Sequence, residues 1–150
     1  MKRCLRFWTG WQSVLSGVLC TRFDQLINFA IKRSMSSKRY SIVDTNSLLP
    51  TECPCGMAKR AFTDEPDQIA SLHVVQVSET ARTHYHKKMT EIYYILEGEG
   101  QIELDSKLFD IGPGSSVMIK PGCRHRAIGN FKLLNIPIPA FDAEDEYFDD

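Results

Sequence analysis

From Ile69 onward the chain is cut into short apolar runs by turn-forming residues. The runs are "ASLHVVQVS", "THYH", "EIYYILEG", "GQIELD", "SVMIKPG", "HRAIG" and "FKLLNIPI". Each is rich in β-branched and aromatic residues and is closed by Gly, Pro, Asp or Ser. They recur at roughly ten-residue spacing, with no helical period between them. A chain patterned this way is confined to an all-β sandwich or barrel. Its 150 residues suffice for one domain with a real core.

The flanks read differently. Residues 44–68, with "DTNSLLPTECPCG" and "FTDEPDQ", are dense in turn formers. They predict an irregular lead-in with one short strand at most. The end, "FDAEDEYFDD", reads as a solvated acidic tail. Residues 1–34 carry six basic side chains and one acid, whereas the remainder carries 12 basic and 18 acidic groups. Upstream translated sequence or a poorly packed extension, a weak signal peptide, and a short amphipathic helix over 21–33 all fit that first segment. It is too short and too polar for a membrane span. The expected organisation is an N-terminal extension over 1–36, a lead-in over 37–68, a barrel over 69–140 and an acidic tail over 141–150.

Inside the barrel region one stretch carries chemistry: "HYHKKMTEIYYILEGEG", residues 84–100. Side chains alternate faces along a strand, so His84 and His86 present two imidazoles on one side. "KKMT" links to a next strand that opens with Glu91, whose carboxylate meets the imidazoles if the strand folds back. Gly98 and Gly100 are expected to mark the following turn. "KPGCRH" supplies His125 after a Pro-Gly turn. Three imidazoles and one carboxylate suit a divalent transition ion and leave open positions on an octahedral one. Alternation puts Tyr93 and Ile95 on the face of Glu91. Tyr93 and Arg82, the latter sharing parity with His84, are the expected substrate-pocket residues. His73 reads as a core histidine or a pocket-lining one, and Cys123 as a loop residue.

These residues resemble the cupin superfamily, in the manner of a small single-domain cupin. His84-x-His86-x4-Glu91-x6-Gly98 matches the first cupin motif position for position. Gly114-x5-Lys120-Pro121-Gly122-x2-His125 matches the second, with Lys120 where proline is frequent and Gly129 where an asparagine is expected. The resemblance spans about 69–140. It implies a small antiparallel jelly-roll barrel that holds one metal ion (Fe, Mn, Ni or Zn) through His84, His86, Glu91 and His125. It also implies a homodimer. The family includes dioxygenases, sugar-phosphate isomerases and non-enzymatic binding proteins. The resemblance therefore implies either a metal-dependent enzyme on a small polar or anionic molecule or a non-catalytic binding module.

Composition narrows the partners. A net charge of -1 gives no basic field for nucleic acid. Five cysteines, an odd number, do not read as a disulfide framework and fit a reducing, cytoplasmic setting. The expected partner is a small molecule, with no nucleic acid and no membrane.

Overall fold

The computed structural model describes residues 39–78 and 81–149, and the expectations for residues 1–34 lie outside them. The described chain is nine strands in one curled antiparallel sheet, with two short 3-10 turns at Thr45–Ser47 and Ala143–Asp145. The strands are β1 (Thr51–Cys53), β2 (Gly56–Ala61), β3 (Leu72–Val77), β4 (His84–Tyr85), β5 (Thr90–Leu104), β6 (Lys107–Ile111), β7 (Ser116–Ile119), β8 (His125–Ile138) and β9 (Tyr147–Phe148). One path runs β1-β2-β3-β8-β4-β9, while β5 pairs with β6, β7 and β8. No helix among the described residues is long and apolar enough to cross a membrane.

The two long strands organise the sheet. β8 pairs with β5 from Thr90↔Ile138 to Leu104↔His125, and with β3 from His73↔Asn135 to Val77↔Phe131. On β8 the odd positions His125, Ala127, Phe131, Leu133, Asn135 and Pro137 are buried. On β5 the buried set starts odd, at Glu91, Tyr93 and Ile95. A register shift between Ile95 and Glu97 then moves the inner face to even positions, so that Ile102 is buried. One extra residue flips side-chain parity in this way. The core that results joins Val75, Val77, Ile95, Ile102, Ile119, Phe131 and Leu133.

Gly98 and Gly100 do not mark a turn. β5 runs straight through them, and "HRAIG" and "FKLLNIPI" are likewise one strand. The glycines serve close approach instead. A Cβ on Gly98 would lie 2.7 Å from the Asn130 carbonyl oxygen, and one on Gly100 would lie 2.5 Å from that of Ile128 and 2.7 Å from the Phe131 ring. The missing side chains let β5 bend against β8 with Phe131 filling the space.

Three more differences concern the sheet's margins. β2 lies in the lead-in, yet all six of its residues pair with β3. Cys53-Pro54-Cys55 spans the β1–β2 hairpin, the small turn expected there. The run "KLFDI" forms β6 against β5, though its polar interruptions hide it in the sequence. The acidic tail is not simply solvated: β9 pairs with β4, and Asp145 is buried.

Candidate metal centre

β4 delivers His84, the next residue but one is His86, β5 opens near Glu91, and β8 begins at His125. His84 and His125 are partners across the β4–β8 pair. All four side chains are buried, and one ligand atom from each lies within 4.8 Å of the others. The four residues expected to bind metal are therefore gathered at one point.

Each imidazole is held from behind. Nδ1 of His84 donates to the Arg82 carbonyl at 3.1 Å, that of His86 to the Asp145 carbonyl at 2.7 Å, and that of His125 to the Cys123 carbonyl at 3.1 Å. A carbonyl only accepts, so the proton sits on Nδ1 and the Nε2 lone pair of each neutral ring is free. Nε2 of His86 and of His125 is buried with no hydrogen-bond partner, 3.4 Å and 3.0 Å from Glu91 Oε2. Two lone pairs facing a carboxylate oxygen in a dry site require a cation between them, either a proton or a metal ion. The donor set of three imidazole nitrogens and one carboxylate fits a divalent transition ion.

The electrostatics agree. Burial alone would raise the Glu91 carboxyl, but the imidazoles of His125 and His86 outweigh it and hold the group well below the usual carboxylate range. Burial, then the neighbouring His125, pushes His84 down to about 4, so this ring is neutral at pH 7. Burial opposes protonation of His86 too, but Glu91 and the Asp145 carbonyl raise it overall. His84 is thus a ready ligand, while Glu91 favours the protonated form of His86, so a proton and a metal ion compete for that ring.

Glu91 is fixed by two further groups. Asn135 Nδ2 donates to Oε1 at 2.6 Å, and the Tyr93 hydroxyl donates to Oε2 at 3.3 Å. Burial, then the charge of Glu91, raises the Tyr93 hydroxyl well above its ordinary value, so it remains a donor. A cavity of about 30 Å³ adjoins this centre, room for one or two water-sized groups. His84, Glu91, Tyr93 and Asn135 line one part of it, and Arg60, His73, Phe141 and Glu146 also face it.

Tyr93 thus lines the cavity, as does His73. Arg82 does not: its guanidinium lies over the Phe148 ring at 4.1 Å. The parity argument does not reach it, because residues 81–83 precede β4 and are not extended strand. Ala81 is buried there instead, its N–H bonded to the Ala127 carbonyl. Cys123 acts through its backbone, as the carbonyl that orients His125.

Asn135, Arg60, Asp145 and Glu146 escape a motif reading. For Asn135 a signal exists: in "FKLLNIPI" it shares parity with Phe131 and Leu133, a polar group on an apolar face. Arg60 sits on a strand hidden in the lead-in. Asp145 and Glu146 lie among acids that look alike in sequence.

Comparison with known proteins points the same way. The profile of the family described as the cupin domain matches residues 71–134. The structure of a protein from Planctomyces limnophilus is 33% identical, superposes with a TM-score of 0.70, and covers 75% of this chain and 100% of its own. An uncharacterized protein of Methanocaldococcus jannaschii is 37% identical over 76 residues, 48% of this chain. The match spans 61% of that curated relative's length. A Streptomyces nucleoside dehydratase shares the fold at 17% identity, with a TM-score of 0.61 over 75% of this chain and 95% of its own. The matched segment contains both histidine motifs, and the fold that carries them superposes on that of the Planctomyces limnophilus protein; the chain belongs to the cupin superfamily.

Proposed function

We propose that this chain binds one divalent transition-metal ion through His84, His86, Glu91 and His125, and acts as a metal-dependent enzyme on a small polar or anionic molecule, in the manner of a dioxygenase or sugar isomerase. The observation that carries the proposal is the convergence of three Nε2 lone pairs and one carboxylate, each held in place from behind. A bound metal would supply Lewis-acid or redox chemistry to substrate oxygens. The chain's own residues do the rest. Asn135 and Tyr93 hold Glu91 in one orientation, so the ligand set is preorganised. Narrow walls of Val75, Ala58 and Leu133 limit the water that enters.

A binding module needs no acid or base in its cavity, whereas an enzyme of this kind needs a group that carries a proton. Glu146 faces the cavity, and burial raises its carboxyl. A carboxyl shifted toward neutrality and placed beside a metal centre suits proton transfer. This observation favours the enzyme over the non-catalytic alternative.

Replacing His86 with Ala tests the site without a known substrate. The variant is expected to lose stoichiometric metal while keeping a soluble, β-rich fold, read by elemental analysis and circular dichroism. Full metal retention would remove His86 from the ligand set.

A further inference from the structure

The metal centre is shut off from solvent. His84, His86, Glu91 and His125 are each no more than 4% exposed, and the cavity beside them offers only about 30 Å³ of space. An ion or a small molecule reaches the Nε2 atoms only if part of the wall moves. Most of the wall cannot move alone. β2, β3, β5 and β8 are each paired along both sides. The turn between β1 and β2 borders the cavity too, but Cys55 within it belongs to the hydrophobic core, so its departure would open the core.

The remaining wall comes from the end of the chain. Glu146 faces the cavity, and Phe148 lies against His84 with ring centroids 6.0 Å apart. β9, which carries Phe148, is an edge strand of two residues, paired only through His84↔Phe148 and Tyr85↔Tyr147. Such a strand has few backbone bonds to lose on opening. Three cations clasp it. Arg82 lies 4.1 Å over the Phe148 ring, Lys87 lies 3.8 Å over the Tyr147 ring, and Arg124 Nη2 donates to Asp149 at 2.8 Å. Both members of the Arg124–Asp149 pair are about half exposed, and surface contacts of these kinds are individually weak.

One residue earlier the attachment changes. Asp145 is 1% exposed and accepts from the backbone N–H of Lys87, Lys88 and Met89. Further upstream, Phe141 N–H donates to Ser71 Oγ and Ala140 N–H to the Gln68 carbonyl. The tail is therefore fixed as far as Asp145 and lightly held beyond it.

We propose that residues 146–149 form a gate over the metal centre, hinged after Asp145 and latched by Arg82, Lys87 and Arg124. Opening parts β9 from β4 and withdraws Glu146 and Phe148 from the wall. The Asp145 carbonyl stays behind on His86, so the ligand set keeps its shape. Arg82 thus controls access to the site instead of lining a pocket. What the gate admits rests on the metal-dependent reading, but the gate itself does not require a metal.

Two measurements on the full chain test it, with Asp149→Asn and Phe148→Ala as latch variants. Cys55 is buried and lines the same cavity, so its alkylation by iodoacetamide in the metal-free chain, mapped by mass spectrometry, reports opening. At a temperature where circular dichroism shows both variants folded, alkylation is expected to quicken about threefold in Asp149→Asn and about tenfold in Phe148→Ala. Zinc(II) uptake, and its release to excess chelator, are expected to quicken by matching factors, so that zinc affinity changes less than either rate. Unchanged Cys55 labelling in both variants would overturn the gate. So would release that quickens while uptake stays constant, the mark of a lost ligand support. A chain that takes up no zinc counts against the metal reading and leaves the labelling to decide the gate.

Discussion

His73 shows how one side chain writes a pH dependence into the fold. It is buried between β2 and β8 and neutral, with its ionisation pushed from 6.5 down to about 4 by burial and by Arg60. The unfolded chain binds this proton below about pH 6.5, while the folded chain resists until about pH 4. Between those values the unfolded state holds more protons, so stability falls as pH falls. The contribution is complete above pH 6.5. About 2 kcal/mol of it should be lost between pH 7.5 and pH 5. Urea denaturation at both pH values checks this against a His73→Gln variant. The wild type is expected to lose stability relative to the variant on acidification, and parallel losses would contradict it. His73 was legible in the sequence only as a histidine on an apolar strand. What fixes its ionisation is burial, with Arg60 adding to it, and both depend on the β2–β3 register.

At the scale of elements, the acidic end of the chain completes the metal centre. Asp145 accepts from the backbone N–H of Lys87, Lys88 and Met89 at 3.1, 2.9 and 2.9 Å, shaping the turn between β4 and β5. Burial would raise its carboxyl, but these three donors lower it overall. Its own carbonyl orients His86. Around it, Tyr147 stacks on Tyr85, Lys87 lies 3.8 Å above the Tyr147 ring, and Arg124 pairs with Asp149. Asp145→Ala removes the acceptor for three donors and loosens His86 without touching a ligand. Metal affinity is expected to fall by about 10- to 100-fold, as when other groups that support a ligand are lost. Competition against a chelator measures it, and unchanged affinity would show that the tail only decorates the site.

The same comparison shows why element boundaries were only partly legible. Alternation and turn residues marked β3, β4, β7 and both ends of the long strands, because those runs have one buried face. β2 was hidden because Lys59 and Arg60 break its apolar pattern, and Arg60 turns inward to a cavity rather than outward to solvent. Gly98 and Gly100 looked like a turn because turn glycines and close-approach glycines are the same residue in sequence. Only Phe131 and the Asn130 and Ile128 carbonyls across the pair tell them apart.

For the whole molecule, two motifs far apart in sequence meet because β8 pairs with β3, β4 and β5 at once. That arrangement sets His125 beside His84 at one end of β8 and Asn135 beside His73 and Tyr93 further along it. The metal ligands were legible because their spacing is rigid and their residue types are chemically demanding. The cavity was not, because its walls come from the lead-in, the barrel and the tail together. The decisive measurement is elemental analysis of the full chain, purified without a metal-binding tag and then reconstituted with Fe, Mn, Ni or Zn. About one equivalent of transition metal per chain is expected, bound by the neutral Nε2 atoms and Glu91. A chain that takes up no metal under any of these conditions would contradict the proposed centre.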